Sequence, residues 1–276
     1  MKKGTAALCL GAALAGTGAG ILWLVAPGRS RPEQRAPFQN RYFAHRGLYD
    51  EAAGIPENSM AAFAAAAAKG YGAEMDVRLT RDGVCVISHD ACLERMTGSP
   101  LVVEDSTWEQ LRELRLSGTD QGIPLFREAL ELLVLAGSPV IVEVKSPPRE
   151  MRDGLCAAVL SIMDEVGGEL CVESFDPWIV AWFRRNAPDI LRGQLITQMS
   201  ETKLPFYESF PGTRCMFNCM CRPQFISHHV GKKTALARLA EQMGAMRVTW
   251  TAHDRSGEAG SDAVIFEHFQ PPLRYL

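Results

Sequence analysis

Residues 139–145 read PVIVEVK. Val140, Ile141, Val142 and Val144 are β-branched, which favours extended backbone. They fall on both faces of the strand, so both faces must be covered, as in a parallel sheet flanked by helices. Glu143 and Lys145 interrupt the apolar run at its carboxyl end. Their spacing of two points both side chains the same way.

Working outward, the same unit recurs. Helical patterns at 124–136 and 150–166 flank this strand. Further strands are predicted at 41–45 (RYFAH), 72–77 (GAEMDV), 170–174 (LCVES), 191–196 (LRGQLI), 221–227 (CRPQFIS), 246–251 (MRVTWT) and 263–267 (AVIFE). Other helices are expected at 107–115, 177–187 and 232–243, and from Asn58 or Ser59, either of which can cap, to about Lys69. Eight strands alternating with helices between residue 41 and the end fit a TIM-type (β/α)8 barrel, a fold of about 250 residues. A doubly wound open sheet is the alternative, but no GxGxxG turn follows the first strand. The connection 252–262 is too short for a full barrel helix.

The segment 84–89 (VCVISH) also reads as a strand. It lies too close to 72–77 for a parallel crossover, and Asp82-Gly83 is a two-residue hairpin signal. Pairing Arg81 with Val84 sets Asp76 opposite His89, with Glu74 on the same face. In the residues that follow, Trp108 and Leu111 mark the packing side of a helix.

The amino terminus differs in character. After Lys2 and Lys3, residues 4–26 carry no charge, against about 20 needed to cross a bilayer as a helix. Residues 1–27 are therefore expected to be an uncleaved single-pass membrane anchor, with a cleaved signal peptide as the rival. Residues 28–40 form a linker and 41–276 the main domain. Flanking lysines and arginines, and an odd number of cysteines after Cys9, lean toward a main domain on the cytoplasmic side. The chain has 29 basic and 32 acidic side chains, five of the basic ones before residue 38. The main domain is thus net acidic, which argues against nucleic acid as a partner.

Charged groups at the ends of apolar strands need a reason. His45 and Arg46 end the first strand, Glu74 and Asp76 the second, and Glu143 and Lys145 the third. Barrel active sites lie at these carboxyl ends. Three carboxylates at one mouth repel one another unless a cation holds them, and oxygen-only ligands suit one hard divalent ion, Mg2+ or Ca2+. His45 and His89 can move protons near neutral pH, and Arg46 and Lys145 can bind an anion. Trp250, at the end of the seventh strand, is placed to touch substrate.

The strings AHRG (44–47), PENS (56–59), EMDV (74–77), TRDG (80–83), HD (89–90), EVK (143–145), SFD (174–176) and WT (250–251) keep the order and spacing of the glycerophosphodiester phosphodiesterase family, which the chain resembles over about 42–270. The resemblance implies a barrel enzyme, with residues 91–122 as a small insertion over the mouth after the strand-2 hairpin, that uses a divalent cation to split a small-molecule glycerophosphodiester into sn-glycerol 3-phosphate and an alcohol. By position, Glu74, Asp76 and Glu143 are implied as metal ligands. His45 and His89 are implied as the acid–base pair, with their individual roles open, and Arg46 and Lys145 as phosphate contacts. Glu57 and Asn58 fit a helix-start or supporting role as well as direct contact. Glu267-His268-Phe269-Gln270-Pro271 replaces the family's Asp-Pro-type turn after strand eight. Two alternatives stand beside this reading: phospholipase D-like cleavage of lysophospholipids, and an inactive membrane-tethered module that only binds a phosphate ligand. Cys215, Cys219 and Cys221 with His228 and His229 lack paired zinc-ligand spacing and read as incidental. His253 and His268 read as rim residues without chemistry.

Overall fold

The computed structural model describes residues 18–201 and 205–275. Eight parallel strands close into a barrel: β1 (Arg41–Ala44), β2 (Gly72–Leu79), β4 (Val140–Val144), β5 (Leu170–Ser174), β6 (Leu191–Ile196), β7 (Phe225–His229), β8 (Met246–Ala252) and β9 (Ala263–Phe266). Each pairs with the next in this order, and β1 closes the ring by pairing with both β9 and β2. The short β3 (Cys85–Ile87) lies antiparallel on β2.

Alternate strand residues divide between two cores. Tyr42, Met75, Val77, Val142 and Val172 face outward against the helices. Phe43, Ile141, Cys171, Leu191, Phe225 and Ile265 fill the barrel interior. A β-carbon on Gly193 would fall within the Phe225 ring, so the bare backbone there makes room for that side chain. The outer helices are α1 (Met60–Ala68), α2 (Phe126–Leu135), α3 (Arg152–Val166), α4 (Pro177–Asn186), α5 (Phe206–Gly212) and α6 (Ala235–Gln242). On α2, buried Phe126, Leu130 and Leu133 recur at helical spacing, each contributing about 1.5–3 kcal/mol. Between β8 and β9 stands only the single turn Arg255–Glu258.

The expected membrane anchor is overturned. No helix among the described residues is long and apolar enough to cross a membrane. Residues 1–17 lie outside the described residues, and the helical stretch 18–25 ends on the barrel. Val25 is buried against Ile196, Cys215 and Ile226. Asn218 donates to the Val25 carbonyl at 2.8 Å, and Arg222 donates to the Trp23 and Ala26 carbonyls at 2.8 Å each. Carbonyls that a helix end leaves unpaired are thus satisfied by the domain itself. The single-pass topology, the membrane as partner and the assignment of a membrane side fall with this expectation.

Two local expectations also change. The strand expected at 221–227 begins at Phe225, because Asn218–Cys221 form a helical turn that Arg222 ends at φ +43°. The hairpin slips by one residue: Val77 pairs with Ile87 and Leu79 with Cys85. Thr80, not Arg81, meets Val84, leaving three residues in the loop with Gly83 at φ +85°. Asp82 stabilises this longer turn by accepting from the Thr80 hydroxyl at 2.6 Å and from the Trp108 amide at 3.0 Å. The insertion beyond it has its own small core, which includes Leu93, Val103, Leu111 and Ile123.

Candidate active site

The barrel register sets Asp76 beside Glu143 and Glu143 beside Glu173 on three neighbouring strands. Glu74 sits one layer below Asp76 on the same interior face. One ligand oxygen each from Glu74, Asp76 and Glu143 lies within 4.8 Å of the others. All three are buried, and Lys145 bridges Asp76 Oδ1 and Glu143 Oε1 at 2.8 Å each. Above them opens a cavity of about 540 Å³, lined by His45, Arg46, Glu74, His89, Glu143 and Lys145, with Phe175 and Trp250 on its wall. Asp76 lies beneath this lining rather than in it.

The tight turn after β1 delivers two groups. Arg46 adopts φ +55°, and its amide donates to Glu74 Oε2 at 3.0 Å. A β-carbon on Gly47 would meet the Ala62 backbone at 2.7 Å, so glycine lets α1 close onto this turn. Ser59 caps α1 by accepting from the Ala62 amide. That leaves Asn58 free to donate its side-chain amide to Asp76 Oδ2 at 2.7 Å.

Each histidine is held by a carboxylate. His45 Nδ1 lies 2.6 Å from Glu267 Oε2, and its Nε2 is 3.9 Å from Glu74 Oε2. His89 Nδ1 lies 2.8 Å from Asp90 Oδ1. His89 no longer faces Asp76 across the ladder. β3 ends at Ile87, and His89, beyond the regular ladder, lines the cavity. A chain of ion pairs links the two sides of the mouth: Asp90 to Arg95 at 2.6 Å, Arg95 to Glu57 at 2.6 Å, and Glu57 to Arg46 at 2.9 Å.

The electrostatics follow from burial and these partners. Burial, then repulsion from Asp76 and Glu143, pushes Glu74 well above the ordinary carboxyl range. Burial lifts Glu143 to about 7, and burial with the Glu143 charge lifts Glu173 to about 8. Burial works against Asp76 too, but Lys145, His89 and Arg46 hold it well below its ordinary value. Burial likewise opposes the charge on Lys145, yet Asp76 and Glu143 keep it protonated. Burial beside Lys145 and Arg46 lowers His89 to about 4, although Asp76 opposes this. Glu267, although half-buried, is held at about 2 by His45 and His253.

Trp250 stands on the opposite wall. Its ring is 4.5 Å from His229 and 5.7 Å, edge to face, from Phe175. Its indole N–H donates to the Ile196 carbonyl at 3.3 Å. Seven of the eight residues singled out from the sequence therefore line this cavity, and the eighth, Asp76, lies beneath it. Two further groups escaped that reading. Glu173 was legible only as a lone acid in an apolar strand, and Glu267 stands where the family's last turn departs from pattern. The thiols of Cys215 and Cys221 are buried among apolar side chains.

The sequence model of the Glycerophosphoryl diester phosphodiesterase family matches residues 45–269. A glycerophosphodiester phosphodiesterase of Bacillus altitudinis is 39% identical over 114 residues, which is 38% of this chain and 45% of that protein. A lysophospholipase D, GDPD1, of Rattus norvegicus is 33% identical over 155 residues, 51% of this chain and 48% of that protein. The chain thus spans about half the length of these relatives. Among solved structures, an Oleispira antarctica phosphodiesterase in complex with the product sn-glycerol-3-phosphate superposes with a TM-score of 0.68 at 21% identity, covering 84% of this chain and 94% of that one. A glycerophosphodiester phosphodiesterase of Thermotoga maritima gives 0.60 at 25% identity, covering 82% and 93%. With most of its length matched, the chain belongs to the glycerophosphoryl diester phosphodiesterase family.

Proposed function

We propose that this protein is a divalent-cation-dependent phosphodiesterase that cleaves glycerophosphodiesters into sn-glycerol 3-phosphate and an alcohol. One observation carries the reading. Two imidazoles, each held at Nδ1 by a carboxylate, share a cavity with a buried carboxylate cluster and two cations.

The cluster fits a hard ion. Glu74 Oε1 is buried without a hydrogen-bond partner, and the donors on offer are all oxygen. Glu74, Asp76 and Glu143 would hold the ion, Mg2+ or Ca2+. When bound, it supplies Lewis-acid polarisation of the phosphoryl oxygens. Arg46 and Lys145 bind the phosphate and stabilise the charge that builds on it. Contacts at Nδ1 orient both rings, leaving each Nε2 for proton transfer. One Nε2 takes the proton of the substrate's 2-hydroxyl as that oxygen attacks phosphorus. The bond to the leaving oxygen breaks, and the other Nε2 protonates the departing alkoxide. Water then opens the cyclic phosphate with the two roles exchanged, so both rings end as they began. Trp250 and Phe175 form an apolar wall for the organic part of the ester.

A second substrate class, lysophospholipids cleaved on the head-group side, is favoured by the surface beside the mouth. Phe175 and Trp178 are exposed there. Phe175 and Leu195 also line an adjoining cavity of about 510 Å³ that extends to Trp178 and Phe217. Phosphorus NMR of the full chain incubated with glycerophosphocholine or lysophosphatidylcholine separates the two. Glycerol 3-phosphate from the first supports the main reading, and lysophosphatidic acid from the second moves the substrate to lipid. Unchanged spectra from both esters, in a folded protein supplied with Mg2+ or Ca2+, overturn the function.

A further inference from the structure

Apart from the carboxylate cluster, one other group of metal-ligating side chains converges among the described residues: His253, Glu267 and His268. His253 follows β8, and Glu267 and His268 follow β9. These strands are barrel neighbours, with Ala252 paired to Phe266, so all three residues emerge on one stretch of rim. Their donor atoms lie within 4.8 Å of one another. His253 Nε2 is 2.7 Å from Glu267 Oε1, and His268 Nε2 is 3.7 Å from the same oxygen. The two ring centroids stand 5.4 Å apart, edge to face at 61°.

The arrangement is held in place and open to solvent. His268 adopts φ +62°, a left-handed conformation that is uncommon for a residue with a side chain. The Tyr49 hydroxyl lies 3.2 Å from His268 Nε2 and 3.4 Å from Glu267 Oε2, and its contact with Nε2 is one that an ion would displace. The imidazoles are 59% and 60% exposed, so an ion reaches them without opening the fold and water can complete its coordination.

We propose that His253, His268 and Glu267 Oε1 form a second cation site, for a borderline transition ion such as Zn2+, and that its occupation slows turnover by drawing Glu267 away from His45. The donor chemistry sorts the two sites. Two imidazole nitrogens and one carboxylate with an open position suit Zn2+ or Co2+, whereas the all-oxygen cluster suits Mg2+ or Ca2+. The link between the sites is a single carboxylate. Glu267 offers Oε1 to the rim histidines and Oε2 to His45 Nδ1, at 2.6 Å. An ion on Oε1 pulls the carboxylate toward the rim and competes with the contact that orients His45. The slowing of turnover rests on the proposed function, but the ion site does not.

The test is calorimetric titration of Zn2+ into the full chain, with Ca2+ saturating the oxygen cluster. Three variants are compared: His253→Gln, His253→Gln/His268→Gln, and Cys92→Ser, which removes an exposed thiol. The proposal expects one Zn2+ equivalent, a loss of affinity of about 100-fold in the double variant and none in Cys92→Ser. Co2+ should give intense visible bands with the wild-type protein that the double variant lacks. Should the double variant not fold, the exposed single variant His253→Gln must still show a weakened site. Zn2+ should lower kcat of the wild-type protein about 10-fold and leave the double variant near its basal rate. Equal Zn2+ affinity in wild-type and double variant overturns the site. Binding at the rim with unchanged kcat overturns the link to His45. A protein that turns over neither ester overturns the function and leaves the titration to decide the site.

Discussion

Glu267 Oε2 lies 2.6 Å from Nδ1 of His45, across the seam where β9 pairs with β1. Glu267 is kept ionised, so it holds the ring in the tautomer that leaves Nε2 facing the cavity. Glu267→Gln removes the charge at nearly constant volume. We expect kcat to fall about 100-fold with KM little changed. The pH–rate profile should shift as well, which a purely structural role would not produce. A variant with wild-type kcat and an unmoved profile contradicts this role.

The two histidines should separate by leaving group. His45→Ala and His89→Ala each lose about 10²–10⁴-fold on glycerophosphocholine. A substrate whose alcohol is p-nitrophenol needs no proton on departure. One of the two variants, and not the other, should therefore recover most of its loss in the release of p-nitrophenol, which reports the first step alone. Recovery by both variants, or by neither, contradicts a divided acid–base pair.

Glu57 ties together Arg46 and Arg95 and is itself buried. Its carboxyl, although burial opposes ionisation, is held below its ordinary value by Arg95 and Arg46. Glu57→Ala leaves the Arg46 guanidinium with only its 3.5 Å contact to Asp76. The cost should be about 3 kcal/mol in urea unfolding. A change below about 0.5 kcal/mol would show the network to be idle.

The carboxylate cluster sets a pH signature. Glu143 and Glu173 titrate near 7 and 8 in the folded chain, against an ordinary 4.5. Over that interval the folded state binds more protons than the unfolded one. Their contribution to stability is therefore complete below about pH 4.5 and is lost as pH rises through 7 and 8. His89, lowered to about 4 from 6.5, acts in the opposite sense only below about pH 6.5. With chelator present, Tm should fall between pH 6.5 and 8.5, and saturating Mg2+ or Ca2+ should restore more of it at 8.5 than at 6.5. A cation effect that shrinks with rising pH contradicts binding at these carboxylates.

The parts legible in the sequence were those fixed by alternation and strong local signals. Val140 to Val144 could be nothing but a strand buried on both faces. Glu74, Asp76, Glu143 and Lys145 followed because a spacing of two keeps side chains on one face. The hairpin register was misread because Asp82-Gly83 fits two loop lengths, and the longer one wins through Asp82's contacts with Thr80 and Trp108. Glu267 was visible only as a break in pattern, since its partner His45 lies at the other end of the chain. The terminal apolar run read as a bilayer span because composition cannot show that Asn218 and Arg222 receive its end.

The most direct measurement is release of glycerol 3-phosphate from glycerophosphocholine by the full chain, with Mg2+ or Ca2+ and then with excess chelator. Glu74→Gln and His45→Ala are assayed alongside. The account predicts turnover with the cation, loss on chelation that fresh cation reverses, and a fall of at least about 100-fold in both variants. Turnover that ignores chelator, or survives in Glu74→Gln and His45→Ala, would contradict it.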